Sequence, residues 1–358
     1  MNKTKLIATI SPLRYNEVEL EKLINSGIDV VRLNTNYADA QFCTKVVTEV
    51  NKLNKKYNKN VATLMDLEGP CIRVKEFFGG EARFRTGDKI RMYFDDTKGD
   101  MTRFAITYPN LLKDIKYKTK INLSNGLVQL QMVEKGLDYA VCEVLQGGVV
   151  RDNSRIYFPD IKLSKNYLTE KDKADIILAD KLNVDFVIAS FVTSSEDILD
   201  ISDVLMELGN DHVGLLAKIE LKDAIEDIDN IIRVADGIVL SREDLRAEVP
   251  LEDIPNIQKR IIRKCSENAK LGIITAEVHQ FSEEDLRPTR SEVTDIAGSV
   301  DDGIDAIMLA GEIAISKYPV ETILEIEKVI ARAEEHLDYE YFFSKALKTA
   351  VKNITGTI

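Results

Sequence analysis

Residues 214–244 read GLLAKIELKDAIEDIDNIIRVADGIVLSRED. An apolar run (214–219) gives way to a stretch with helical periodicity (221–234). A second apolar run (237–240) follows, and an acidic residue, Asp244, lies just beyond it. Continuous Val, Ile and Leu runs suit strands buried on both faces, as in a parallel sheet. A strand, a helix and a strand within some 30 residues is one βαβ step.

Working outward, the same alternation recurs. Apolar runs at 6–10, 30–33, 61–67, 186–190, 272–276 and 306–309 join the two above to make eight. Helical stretches are expected at 17–24, 43–53, 171–182, 196–208, 221–234, 254–268, 293–302 and 319–336. Alternation implies α/β architecture, and eight units favour a closed TIM (β/α)₈ barrel over an open sheet. The pattern stops between 71 and 160, where strand-like pieces (89–93, 119–123, 127–132, 139–144) lie among the turn signals Gly79-Gly80, Gly87-Asp88, Asn125-Gly126 and Gly147-Gly148. An inserted small β-barrel lid domain is expected there, with Asn125-Gly126 marking a hairpin. The expected domains are thus 1–70 with 161–340 as the barrel, 71–160 as the lid, and 341–358 as a helical tail.

Composition narrows the function. The 358 residues carry a net charge of −12, with 30% charged and 44% hydrophobic residues. An acidic chain repels nucleic acid and anionic membrane surfaces, so neither is expected as a partner. No apolar stretch reaches the ~20 residues that span a bilayer. Cys43, Cys71, Cys142 and Cys265 are scattered without a CxxC pair, as for free thiols in a reducing cytoplasm. The N-terminus reads as a first strand, not a signal peptide. His212, His279 and His336 lack metal-ligand spacing, and only His279 falls near a strand end.

In such barrels the active site lies at the C-terminal ends of the strands. There the sequence places Arg32 and Asn34, Asp66, Lys218 and Glu220, the run Arg242-Glu243-Asp244, and Gly311-Glu312. Lys218 and Glu220 are two apart and share a face. Glu220 and Asp244, from neighbouring strands, suit Mg²⁺, which takes one or two carboxylates and completes its shell with water or substrate oxygens. Lys218 beside them suits a transferring phosphoryl group or an enolate. A salt-bridge network that merely closes the barrel mouth fits the same three residues.

The motifs resemble those of the pyruvate kinase family nearly end to end. TKLIATISP (4–12) resembles its opening strand and GIDVVRLN (27–34) its second. DLEGPCIR (66–73) resembles the junction into its lid, TEKD (169–172) the re-entry helix, and VDFVIASF (184–191) the fourth strand. AKIE (217–220) is similar to the catalytic lysine strand, DGIVLSREDLRAEVP (236–250) to the metal-aspartate loop, and RPTRSE (287–292) and IMLAGEIAISKY (307–318) to the closing elements. The resemblance implies a glycolytic phosphotransferase that converts phosphoenolpyruvate and ADP to pyruvate and ATP with Mg²⁺ and, usually, K⁺. It implies Glu220 and Asp244 as Mg²⁺ ligands, Lys218 as the group that stabilises the phosphoryl in flight, Arg32 on the phosphoryl group, and Arg73 near the nucleotide phosphates. Asn34, Asn36, Asp66 and Leu67 match the K⁺ site.

The chain departs from the family at several of these points. A glycine before the metal aspartate is Glu243, expected to weaken binding of an anion, and the next glycine is Arg246. A substrate-binding threonine is Ala276, followed by Glu277 for glutamine, so protonation of the enolate should slow. Asn36 replaces serine, Leu67 threonine and Tyr37 histidine, which leaves K⁺ open. Ser124-Asn125-Gly126 replaces Asp-Asp-Gly in the lid hairpin. A lid lysine is missing, with Arg151 and Arg155 as substitutes. Ala310 replaces serine near Glu312. The family's C-terminal domain, which binds a sugar-phosphate activator, has no counterpart, so that allosteric site is not expected, and a homodimer through the barrel domain is left open. The leading expectation is an impaired phosphotransferase. The rivals are a metal-dependent lyase or aldolase acting on a pyruvate-type enolate, and a non-catalytic paralogue serving as sensor or partner subunit.

Overall fold

The computed structural model describes residues 2–159, 161–164, 166–210, 212–278, 287–309 and 311–337. The three N-terminal strands β1 (Lys5–Thr9), β2 (Val30–Asn34) and β3 (Ala62–Asp66) are parallel neighbours. Eight further strands follow: β4 (Glu81–Phe84), β5 (Lys89–Tyr93), β6 (Arg103–Ala105), β7 (Lys120–Leu123), β8 (Val128–Lys135), β9 (Tyr139–Gln146), β10 (Gly148–Arg151) and β11 (Ile156–Tyr157). Then come β12 (Phe186–Ala189), β13 (Gly214–Ile219), β14 (Gly237–Leu240), β15 (Leu271–Ala276) and β16 (Ala306–Leu309). The first three and last five close a parallel barrel in the order β1-β16-β15-β14-β13-β12-β3-β2. The eight between form a six-stranded sheet, β11-β7-β8-β9-β5-β6, and a β10-β4 pair, around a separate apolar cluster that includes Phe77, Phe84 and Phe104. A TIM barrel with an inserted small β unit is the fold.

Side chains alternate along a strand, so every second residue faces the barrel interior. Ile7, Val30, Leu64, Ile188, Leu216, Val239, Ile273 and Met308 pack together there, one from each strand. The other face of each strand packs under the helices in a larger cluster that includes Val31, Ile274 and Ile307. Each fully buried aliphatic side chain contributes roughly 1.5–3 kcal/mol. One step further along each strand the interior turns polar: Thr9, Arg32, Asp66, Ser190, Lys218, Ser241 and Thr275, all buried. The eighth position, Ala310, and the Glu312 side chain lie outside the described residues, as do His279 and the expected tail helix at 341–352.

Two differences from the sequence reading have local causes. The stretch 221–234 forms two helices, Lys222–Glu226 and Ile228–Val234, because Asp227 breaks it. Its carboxylate is drawn aside to Ser195 N (2.8 Å) on the neighbouring helix and to Asn230 Nδ2 (2.5 Å). β4, β6, β10 and β11 carry no long apolar run; β4 alternates exposed and buried residues with charges outward. The expected hairpin is present. Leu123 pairs with Val128, and Ser124, Asn125 and Gly126 all take positive φ.

The chain leaves the barrel at Gly69 and returns at the helix Glu170–Leu182. One carboxylate stitches both points. Asp172 completes a capping box with Thr169 and accepts from Gly69 N at 3.0 Å. Gly69 has φ +66, and a Cβ there would lie 2.5 Å from Ser190 O, so only glycine fits.

Candidate active site

The polar layer over the apolar plug is one connected network. Arg32 donates from Nε to Asp66 Oδ2 at 2.9 Å, from Nη2 to the same oxygen, and from Nη1 to Thr9 Oγ1 at 2.7 Å. Ser190 Oγ donates to Asp66 Oδ1 at 2.8 Å. Lys218 Nζ lies 3.6 Å from Asp66 Oδ2 and 3.2 Å from Glu220 Oε1. Burial alone would raise the Asp66 carboxyl, but Lys218 and Arg32 outweigh it and hold it below the usual range. Burial works against the Lys218 ammonium, and Asp66 and Glu220 outweigh that, so the lysine stays charged.

Glu220 follows β13 directly and is fully buried. Its Oε2 accepts from Phe191 N at 2.6 Å, while Oε1 accepts no hydrogen bond. Burial, with Asp244 beside it, pushes its pKa up to about 7 despite Lys218. Asp244 lies on the short helix Arg242–Leu245 after β14. Arg242 pins that helix through a bidentate pair with Asp295 (2.6 and 2.7 Å) and a 3.1 Å bond from Nε to Thr275 O. Asp244 Oδ2 accepts from Ser241 Oγ at 2.6 Å. Burial works upward on Asp244, but Arg155 and Lys218 hold it well below the usual carboxylate range.

From the inserted β unit, Arg155 reaches between the two acids. Its Nη1 donates to Asp244 Oδ1 and sits 3.6 Å from Glu220 Oε1. Tyr157 Oη also donates to Asp244 Oδ1, at 2.6 Å. Arg151 instead pairs with Glu81 across the β10–β4 pair.

Above this network lies a cavity of about 540 Å³ whose lining includes Arg32, Arg73, Arg155, Lys218, Glu243 and Asp244, with Glu220 and Asp66 buried beneath it. Asn34 and Thr275 also line it. Ala276 does not. It packs in the outer layer beneath the helices, and its neighbour Thr275 faces the cavity. Glu243 Oε1 accepts from Asn125 Nδ2 of the lid at 2.6 Å, and Arg246 lies 3.4 Å from Glu277. Arg73 donates to Asn36 Oδ1 at 3.1 Å and to Asn153 O at 2.9 Å.

A family model for the pyruvate kinase barrel domain matches residues 1–323. The chain belongs to the pyruvate kinase family. Pyruvate kinase of Clostridium perfringens is 35% identical over 347 residues, covering 96% of this chain and 73% of that protein. Those of Geobacillus stearothermophilus and Staphylococcus aureus (strain MRSA252) are each 33% identical over 99% of this chain, and it spans 61% and 62% of their lengths.

The family's Mg²⁺ suits the donor chemistry of the acid pair, between which Arg155 now stands. Two carboxylates are the usual protein share of a Mg²⁺ shell, and Glu220 Oε1 is a buried acceptor that a hard cation would satisfy. The side-chain oxygens of the residues matched to K⁺ already accept hydrogen bonds. Asp66 accepts on both oxygens, Asn34 Oδ1 accepts from Asn36 N at 3.0 Å, and Asn36 Oδ1 from Arg73. Thr9, Ser190, Ser241, Thr275 and Tyr157 were not assigned as site residues from sequence, and Arg155 was named only beside Arg151 as a substitute for a missing lysine. Counting two residues beyond each apolar plug position would have found the first four.

Proposed function

We infer that the chain is a pyruvate-kinase-type phosphotransferase that moves the phosphoryl group of phosphoenolpyruvate to ADP, yielding pyruvate and ATP. The observation that carries this reading is Lys218, buried and kept charged by Asp66 and Glu220, facing the cavity beside Arg32. As the bond from phosphorus to the enol oxygen breaks and the bond to a β-phosphate oxygen of ADP forms, charge spreads over the equatorial oxygens. Two fixed cations stabilise that charge without reorganising. Arg73, on the lid side of the cavity, is assigned to the nucleotide phosphates. Mg²⁺ held by Glu220 and Asp244 would supply charge neutralisation at the substrate oxygens. The enolate then takes a proton at C3.

In this reading residues 1–70 and 161–340 form the catalytic barrel, and 71–160 close over it as a lid. The protein works in the cytoplasm, and a homodimer would form through the barrel. No helix among the described residues is long and apolar enough to cross a membrane.

A coupled assay for pyruvate with phosphoenolpyruvate, ADP and Mg²⁺ tests the reading. Lys218→Met is expected to lower the rate 10²–10³-fold, the usual scale for removing one preorganised charge-stabilising group. A Lys218→Met protein as active as wild type removes the proposal's basis.

A further inference from the structure

We propose that Arg155 is the resident cation of the Glu220–Asp244 pair, and that it and a divalent metal exclude one another there. The proposal rests on the reading above only for the identity of the competitor. A Mg²⁺ shared by two carboxylates needs an oxygen of each at about 2.1 Å. Arg155 Nη1 already donates to Asp244 Oδ1 and stands 3.6 Å from Glu220 Oε1, the remaining buried acceptor. It therefore occupies the space a bridging ion would take.

Charge counting points the same way. With Glu220 ionised, as a metal ligand must be, Arg32, Lys218 and Arg155 balance Asp66, Glu220 and Asp244. A divalent ion added to that neutral cluster leaves an excess of two positive charges in a buried place, which is costly. With Arg155 withdrawn the cluster is net −1, and the ion leaves only +1.

The guanidinium is also built in. It lies over the Phe191 ring at 5.2 Å, and Phe191 N–H in turn holds Glu220 Oε2. Tyr157, two residues along the same extended segment, shares Asp244 Oδ1. Ile156 and Tyr157 pair with Leu123 and Asn122 of β7. Withdrawing Arg155 therefore pulls on the hairpin whose Asn122 and Asn125 grip Ala247 O and Glu243 of the barrel. Metal uptake and release of the lid are one event.

The test is titration of Mn²⁺, which favours the same oxygen ligands as Mg²⁺. It is made by calorimetry and electron paramagnetic resonance on wild type, Arg155→Ala, and Arg155→Met, which keeps packing on Phe191 without the charge. Both variants are expected to bind Mn²⁺ at least tenfold more tightly than wild type. Amide exchange across 148–158 should rise on saturation in wild type, and in the variants it should already be fast and unmoved by the ion. Equal or weaker affinity in both variants overturns the exclusion while leaving the metal reading standing. No uptake by any of the three proteins overturns both. Near-ultraviolet circular dichroism identifies a misfolded variant, and the other then decides.

Discussion

Asn125, at the tip of the lid hairpin, donates its side-chain amide to Glu243 on the barrel at 2.6 Å. Each residue departs from the family pattern, and together the departures make sense. The aspartate of the family's hairpin would face the Glu243 carboxylate and repel it, whereas asparagine offers it a donor. Glu243 thus fastens the lid. Asn125→Asp should place two carboxylates at the contact and cost on the order of 1 kcal/mol. Limited proteolysis of the lid is the check, with cleavage expected about fivefold faster. Unchanged cleavage would show that this pair does not hold the seam.

At the hinge, Gly69→Ala puts a Cβ 2.5 Å from Ser190 O at a φ of +66. Strain and clash together should cost about 1–3 kcal/mol, and Ser190 would shift off Asp66. A thermal melt within 1 °C of wild type would show that the hinge adapts more easily than its geometry implies.

How much of this was legible in sequence depends on the distance the information had to travel. Barrel strands announced themselves because each is apolar on both faces, and Lys218, Glu220 and Asp244 because they sit just past such strands. The polar layer is equally local, a matter of counting two beyond Ile7, Ile188, Val239 and Ile273 to reach Thr9, Ser190, Ser241 and Thr275. Arg155 and Tyr157 were not legible in the same way. They meet Asp244 across 89 and 87 residues of chain, and no local pattern says where a folded lid will place its last strand. Ala276 shows the opposite failure. Motif matching assigned it to the substrate, and strand parity turns it away.

That parity makes a prediction of its own. If position 276 faces the outer layer, Ala276→Thr restores the family residue without restoring its chemistry. The added hydroxyl enters an apolar layer and should lower stability by about 1–2 kcal/mol. Exchange of the pyruvate methyl protons with solvent should not speed up. A several-fold gain in that exchange would show that the residue reaches the cavity during turnover.

Asp66 holds the centre of the network, with Arg32 and Lys218 both drawn to it. Asp66→Asn keeps the shape and removes the charge, and an amide NH₂ then faces cations. Breaking a buried pair from one side typically costs 3–5 kcal/mol. The barrel should melt roughly 10 °C lower. Asp66→Asn melting like wild type would mean that solvent or Glu220 takes over the compensation.

Far from the site, Glu327 gives the stability a pH dependence. It packs against Gly27, with Asn2 Nδ2 donating to its Oε2 at 2.9 Å. Burial, then Asp29 and Glu334, raise its carboxyl from 4.5 to about 7, and Lys5 opposes them. A carboxyl with a raised folded pKa holds its proton in the native state while the unfolded chain has already lost it. Between pH 4.5 and 7 the native state therefore binds more protons, and stability falls as pH rises through that window. The contribution is fully present below about pH 4.5 and gone above about 7. Glu327→Gln cannot ionise, so it should flatten the dependence. It should be more stable than wild type at pH 8 by about 1 kcal/mol, a figure reduced because solvent partly reaches the site, and nearly equal at pH 4.5. Urea midpoints at the two pH values decide the matter, because parallel losses in both proteins would assign the slope to other groups.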